Sequence, residues 1–328
     1  MKKAAFSILL ALCVSPSWAQ SESETAYNFL RLPVGAHAAA IGGDNVSLVE
    51  DDENLLFNNP ALLSSSTPKT IALNYMSYMQ GVKAASAAFN WASGERATWA
   101  VGAQYLDYGK MKQTDEYNVQ TGDFSARDIA VSGTLAYMLT DKIAGGITTR
   151  LIASYIGDYN SIGFGVDLGL NYYDDDRQLS VSLTAKNLGG QLKAYDENYE
   201  KMPFDLQAGV TKGLSSFPLR LSLTLVDLNH PHYKLLNHIV VGGDFLIGDN
   251  LWLGMGYNFR RADEMKISDG DKDSSHGAGL SLGAGLDLNR LKIGVSYGKY
   301  HVSSSSLIFS AAFSLIKSPT PYYIYSKL

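Results

Sequence analysis

Cysteine is nearly missing from this chain. The one thiol in 328 residues is Cys13, and it lies inside a stretch that reads as an export signal. Met1-Lys2-Lys3 forms a basic head, Ala4 to Val14 an apolar core too short to span a bilayer, and Ser17-Trp18-Ala19 a small-x-small cleavage pattern. Residues 1–19 are therefore expected to be removed, leaving no cysteine for a disulfide or a thiolate metal site. Leu12 is too large to precede a lipidated cysteine, which argues against a lipoprotein. Long apolar runs are missing too. No later segment reaches eighteen uninterrupted apolar residues, so no transmembrane helix is expected. Basic excess is missing as well: the net charge is −5, and nucleic-acid phosphates demand a basic patch.

What is present is alternation. Ile162, Phe164, Val166, Leu168, Leu170 and Tyr172 make one row, and Ser161, Gly163, Gly165, Asp167, Gly169 and Asn171 the other. A period of two means strands with unlike faces. Fourteen such segments fit between Lys69 and Ile316, the eleventh with the row Leu251, Leu253, Met255, Tyr257 and Phe259. The fold class expected is all-β: a 14-stranded antiparallel transmembrane β-barrel with an apolar outer face and a polar lumen. Twenty tyrosines, twelve phenylalanines and four tryptophans supply interfacial aromatic girdles.

Charge placement supports this reading. Arg150, Lys186, Arg220, Asp128, Asp167, Asp244 and Asp287 fall on the non-greasy rows. A Lys or Arg facing lipid at mid-membrane costs roughly 2–4 kcal/mol. Lys212 and Lys299 fall on greasy rows, but near strand ends. Connection lengths agree: 140–142, 174–177, 248–250 and 289–290 are short, whereas 107–125, 188–203, 227–237 and 260–276 read as long loops. Short periplasmic turns and long outside loops place both chain ends in the periplasm. The inner rows are mostly Gly, Ser, Thr, Asp and Asn, with Val226 and Leu228 as apolar exceptions.

Residues 20–68 do not alternate and are too long for a structureless loop. They are expected to fold as a plug inside the barrel 69–316. Residues 317–328 form a periplasmic tail, in which Pro319 and Pro321 forbid a further central strand.

No enzyme motif survives inspection. Gly279-Leu280-Ser281-Leu282-Gly283 matches a hydrolase elbow, but alternation continues on both sides, so Ser281 belongs mid-strand. Gly163-Phe164-Gly165 has no helix after it. Asp269 to Asp273 starts like a calcium loop, but Ser274 and Leu280 stand where Gly and Glu are needed; a loose surface Ca²⁺ site stays open. His230, His232 and His238 have no Cys or carboxylate at a ligand spacing. No catalytic, cofactor or metal residues are expected.

The plug carries the family signal. Phe29-Leu30, Leu32-Pro33, Ala36, Gly42-Gly43-Asp44 and Asn59-Pro60-Ala61 form its pattern, and the stretch Leu73 to Lys83 continues it. The chain resembles the PorV/PorQ family, relatives of the FadL-type fatty-acid transporters. His37 stands where many relatives have arginine. The resemblance implies a FadL-like barrel with an N-terminal plug in the outer membrane, in contact with its lipids. It also implies a role in the type IX secretion system of Bacteroidetes. There the family supplies platforms for cargo attachment, including the hold on the surface protein PorZ, a partner of PorU and indirectly of PorV. The alternative it leaves is a FadL-like transporter of hydrophobic small molecules.

Overall fold

The computed structural model describes residues 25–316, apart from positions 80, 215, 249, 270, 271 and 303. The expected signal (1–19) and tail (317–328) lie outside the described residues. Fourteen strands close a barrel in chain order. They are β1 (Thr70–Met79), β2 (Val82–Ser93), β3 (Ala97–Thr114), β4 (Gln120–Thr140), β5 (Ile143–Ile156), β6 (Tyr159–Asp174), β7 (Leu179–Lys193), β8 (Asp205–Gly213), β9 (Leu219–Leu225), β10 (Ile239–Ile247), β11 (Leu251–Asn258), β14 (Leu280–Leu288), β15 (Leu291–His301) and β16 (Ser304–Ser314). Two short strands, β12 (Ile267–Asp269) and β13 (Lys272–Ser274), pair with each other outside the wall. All wall pairings are antiparallel, and β1 closes on β16 from Thr70↔Ser314 to Ser77↔Leu307. No described helix is long and apolar enough to cross a membrane.

The two faces separate as the alternation requires. Val131 is 57% exposed on the outer face, whereas its neighbours Ala130 and Ser132 are 2% and 6% exposed. Asp128, Arg150, Asp167 and Asp244 are all buried on the lumen side. Ser281 sits buried in β14 and accepts a hydrogen bond from Arg261, as a strand residue and not an elbow nucleophile. Gly163 and Gly165 lie within β6.

The long connections differ from expectation in kind. Residues 107–125 are mostly strand: β3 and β4 run on as a ribbon, with pairing from Lys110↔Ser125 to Thr114↔Gln120 after a bulge. The last wall pairings are Lys83↔Asp107 and Ala126↔Ile156, so the ribbon beyond them has two free edges. The alternation hid it because the bulge flips the row. Likewise β7 continues to Lys193, inside the expected loop 188–203. Phe259 is not a strand residue. Asn258 caps a short helix, α2 (Phe259–Glu264), by accepting from the Arg261 amide. Leu228 is exposed and not luminal, because β9 ends at Leu225, whereas Val226 is buried.

The lumen is filled by the segment preceding β1. Among the described residues it holds one short helix, α1 (Ala36–Ala40), and 3₁₀ turns at Asn28–Arg31, Glu53–Phe57 and Pro60–Ser65. Its own core is Ile41, Leu48, Leu55 and Leu62 packed with Ala38, all at most 2% exposed.

Candidate functional site: the junction between plug and wall

Glycines on the inner row let the plug backbone touch the wall. A Cβ on Gly256 would lie 2.2 Å from the Ile41 carbonyl carbon, and one on Gly146 would lie 2.4 Å from the Ala61 nitrogen. Gly42, with φ +113°, turns the chain there against Val240. The expected plug residues meet the wall at separate points. Phe29 and Leu30 pack with Leu106, Ala130 and Ile152, with Leu32 at the edge, toward the long loops. Pro33 borders β1 to β3. The Ala36 amide donates to Ser310 Oγ at 2.8 Å. Gly43 faces Tyr300, and Asp44 accepts from Asn258 Nδ2 at 3.1 Å. Asn59 Oδ1 caps the Pro60–Ser65 turn through the Ala61 amide, while its Nδ2 donates to Val46 O.

Two ionic latches lie toward the short turns. His37 Nδ1 sits 2.6 Å from Glu50 and its Nε2 2.7 Å from Asp244. Its ring stacks on Trp252 of β11, with centroids 3.8 Å apart. Arg220 lies opposite Asp244 in the β9–β10 register and bonds both Asp244, at 2.5 Å, and Glu50, at 2.9 Å. Burial acts to strip the His37 proton. The Glu50 charge and the hydrogen bonds to Asp244 and Glu50 outweigh it, and the pKa stands at about 9. Lys292 of β15 pairs with Asp51 at 2.6 Å, and Asp51 also accepts from the Thr67 amide and hydroxyl.

His37, Glu50 and Asp244 form the one carboxylate–imidazole group among the described residues with a geometry open to a metal. Two cations already serve it, protonated His37 and Arg220, so its chemistry is that of an ion-pair clamp. His230 and His238 join no such group; His230 faces Asn229 and His238 faces the Val226 carbonyl. The side chains of Asp269 to Asp273 lie outside the description.

Glu53 stands apart. It is fully buried, and neither carboxylate oxygen meets a donor among the described residues. Burial pushes its pKa to about 8, and for Asp52 beside it to about 6. Toward the long loops, Asp227 is buried against Arg260, with Arg31 of the plug 4.0 Å away. Inspection of the sequence missed Glu50, Trp252 and Glu53 as a site. It found Arg220 and Asp244 as luminal charges, but nothing in one sequence paired them with position 37.

A wall of fourteen strands, a filled lumen and this clamp set the frame for comparison. The family profile of the type IX secretion system membrane protein PorP/SprF matches residues 123–312. The chain belongs to the PorP/SprF family. The match runs from β4 into β16, so it rests on the wall and not on the plug. No curated protein matches. Among solved structures, the CymD monoaromatic hydrocarbon channel is similar, with TM-score 0.58 at 16% identity, over 88% of this chain and 98% of that one. The P. putida toluene transporter TodX gives 0.55 at 14%, over 88% and 100%. A Pseudomonas aeruginosa FadL homologue gives 0.53 at 12%, over 87% and 99%. At these identities the likeness shows the fold alone, which is FadL-like. This PorP/SprF-family chain is thus an outer-membrane β-barrel of a secretion system.

Proposed function

We propose that this barrel is a non-enzymatic component of the type IX machinery that anchors a PorZ-like surface partner of the cargo attachment complex. In this reading residues 1–19 are removed, 20–68 are the plug, and 317–328 leave the barrel on the periplasmic side, with the long loops outside. The observation that carries it is the asymmetry of the two ends. One end has tight turns; at the other, β3 and β4 form a ribbon standing clear of the wall. A membrane-spanning strand needs about 9–11 residues, and β4 has 21. The surplus offers backbone and side chains to a partner instead of to lipid. The PorQ type within the PorV/PorQ resemblance fits this role, supported by the stretch Leu73 to Lys83. Deleting the gene tests it. The expected result is release of the PorZ-like protein from the cell surface and retention of cargo; unchanged surface display and secretion would overturn the reading.

One observation favours a second reading, a transporter of hydrophobic small molecules: the fold is shared with hydrocarbon channels. The polar inner rows and the latched plug oppose it. Fatty acid bound in the lumen of the purified protein, together with uptake that depends on it, would revive it.

A further inference from the structure

At the end with the long loops, the lipid-facing rim of the barrel is not alike all the way round. On β9, β10, β11 and β14 its last outward residues are Leu225, Ile239, Tyr257 and Leu280, each two residues beyond an exposed apolar wall residue. On β2 to β4 the same level is charged. Lys83 lies opposite Asp107, and Asp107 opposite Arg127. Asp107 and Arg127 continue the outward rows of Tyr105 and Val131, which are exposed. Directly paired residues share a face of the sheet, so Lys83 points outward with them.

The charged face continues beyond the wall. β4 runs without a break from Arg127 through Ser125 to Asp123, and Lys110 and Lys112 of β3 lie opposite Ser125 and Asp123. The one extra residue of the bulge, where Gly109 takes φ +74°, brings both lysines onto this side. Lys83, Arg127, Lys110 and Lys112 thus stand against two carboxylates, Asp107 and Asp123. None of the four cations makes an ion pair among the described residues. Arg127 lies over the Tyr155 ring, 5.0 Å from its centre, and the Asp107 carboxylate accepts from the Gly109 amide at 2.9 Å. Unspent positive charge directly above a lipid-facing apolar wall fits an acylated anion, its chains on Tyr105, Val131 and Leu151 and its head on the cations. Lys83 and Arg127 are two strands apart, about 10 Å, and Asp123, opposite Lys112, stands four residues beyond Arg127, about 13 Å. One phosphate cannot reach across that span; a head bearing two can.

We propose that this face binds an acylated glycolipid carrying two or more phosphates. The ribbon's other face, with Met111 opposite Phe124, and its tip at Tyr117 stay open to a protein partner. Placement in the outer leaflet rests on the long loops facing outside, as the proposed function has it.

Native mass spectrometry of the barrel released from phosphatidylethanolamine nanodiscs tests the site, with diphosphoryl lipid A or phosphatidylglycerol added at the same low fraction. Diphosphoryl lipid A should be retained about 10-fold more than phosphatidylglycerol. Lys83→Gln, Lys110→Gln and Arg127→Gln combined should abolish that preference. Lys212→Gln, at an exposed position of β8 near the other end, should leave it intact. Heat-modified mobility on gels verifies that each barrel is folded. Equal retention of the two lipids, or a preference untouched by the triple change, would overturn the proposal. So would loss of the surface partner from cells carrying the triple variant with lipid retention unchanged, which would give this face to a protein. Labelling of Ser125→Cys, in a Cys13→Ser background, by an impermeant maleimide on intact cells reports the orientation separately. Labelling without lipid preference overturns the lipid site and leaves the anchoring role standing; labelling only after permeabilisation overturns the outer-leaflet placement and that role's orientation together.

Discussion

The wall and the plug bury opposite things. In the wall, most apolar side chains point outward, and many buried residues are polar, such as Asn74, Ser132, Thr148, Asp167 and Ser281, with Leu106, Ile152 and Ile308 as buried apolar exceptions. In the plug, the order is that of a water-soluble domain, with Leu55, Leu62 and Leu63 at 0 or 1% exposure. Polarity therefore changes twice from the membrane inward: an apolar face, a polar lumen shell, then an apolar plug core. The polar shell is where the two parts recognise each other. Ion pairs and close backbone contacts set its register, beside apolar patches where Phe29 and Leu30 meet Leu106 and Ile152, and Leu56 and Phe57 meet Ala88 and Ala100.

The largest expected effect comes from breaking that shell at Arg220. Its removal leaves Asp244 and Glu50 facing each other with only His37 to compensate. Arg220→Ala should destabilise plug docking by about 3–5 kcal/mol, seen as faster amide exchange across residues 36–67 with the barrel strands still protected. Equal exchange in wild type and variant would mean the clamp is decorative.

The shell should also weaken as pH rises. Docked His37 keeps its proton to about 9, against about 6.5 for a free imidazole. Its contribution is complete below about pH 6.5 and lost as pH climbs through 9. Glu53, raised to about 8, acts in the same direction: its contribution is complete below about 4.5 and lost by 8. Plug opening, read as exchange divided by the intrinsic amide rate at each pH, should rise between pH 6 and 9, on the order of 6 kcal/mol in all. Glu53→Gln should flatten the lower part of that curve, and His37→Gln the upper part. A protection factor unchanged from pH 6 to 9 would contradict both.

Smaller changes separate the faces. Val131→Arg on the outer face should cost roughly 2–4 kcal/mol of barrel stability in lipid and leave the plug untouched. Gly256→Ala should do the reverse, costing about 1–3 kcal/mol of docking where a methyl meets the Ile41 backbone, with the wall intact. Urea titrations of the lipid-folded barrel beside exchange of the plug distinguish them. Asn59→Ala, which loses a cap, should cost about 1 kcal/mol and is the smallest of the set.

The wall was legible because lipid punishes exceptions. Arg150 and Asp167 had to point inward, and they pair there at 2.6 Å. The projecting ribbon was not legible: once β3 and β4 leave the bilayer, the penalty that enforces alternation is gone, and the bulge after Asp107 flips the row. In the plug, the Phe29-Leu30 and Asn59-Pro60-Ala61 patterns marked a family resemblance without revealing their contacts. Phe29 and Leu30 pack on Leu106, Ala130 and Ile152, and Asn59 to Ala61 lie on Gly146 and Gly169, wall positions far along the chain. His37 was noticed as a departure from its relatives; its role needs Glu50, Asp244 and Trp252, which only the fold brings together.

We propose that the plug closes this barrel to ions, leaving its ends and not its lumen to do the work. Conductance of the purified protein in planar bilayers tests that most directly. Wild type should carry no steady current, and Arg220→Ala should open to a pore current as pH is raised from 6 to 9. A stable conductance in wild type at pH 6 would contradict it.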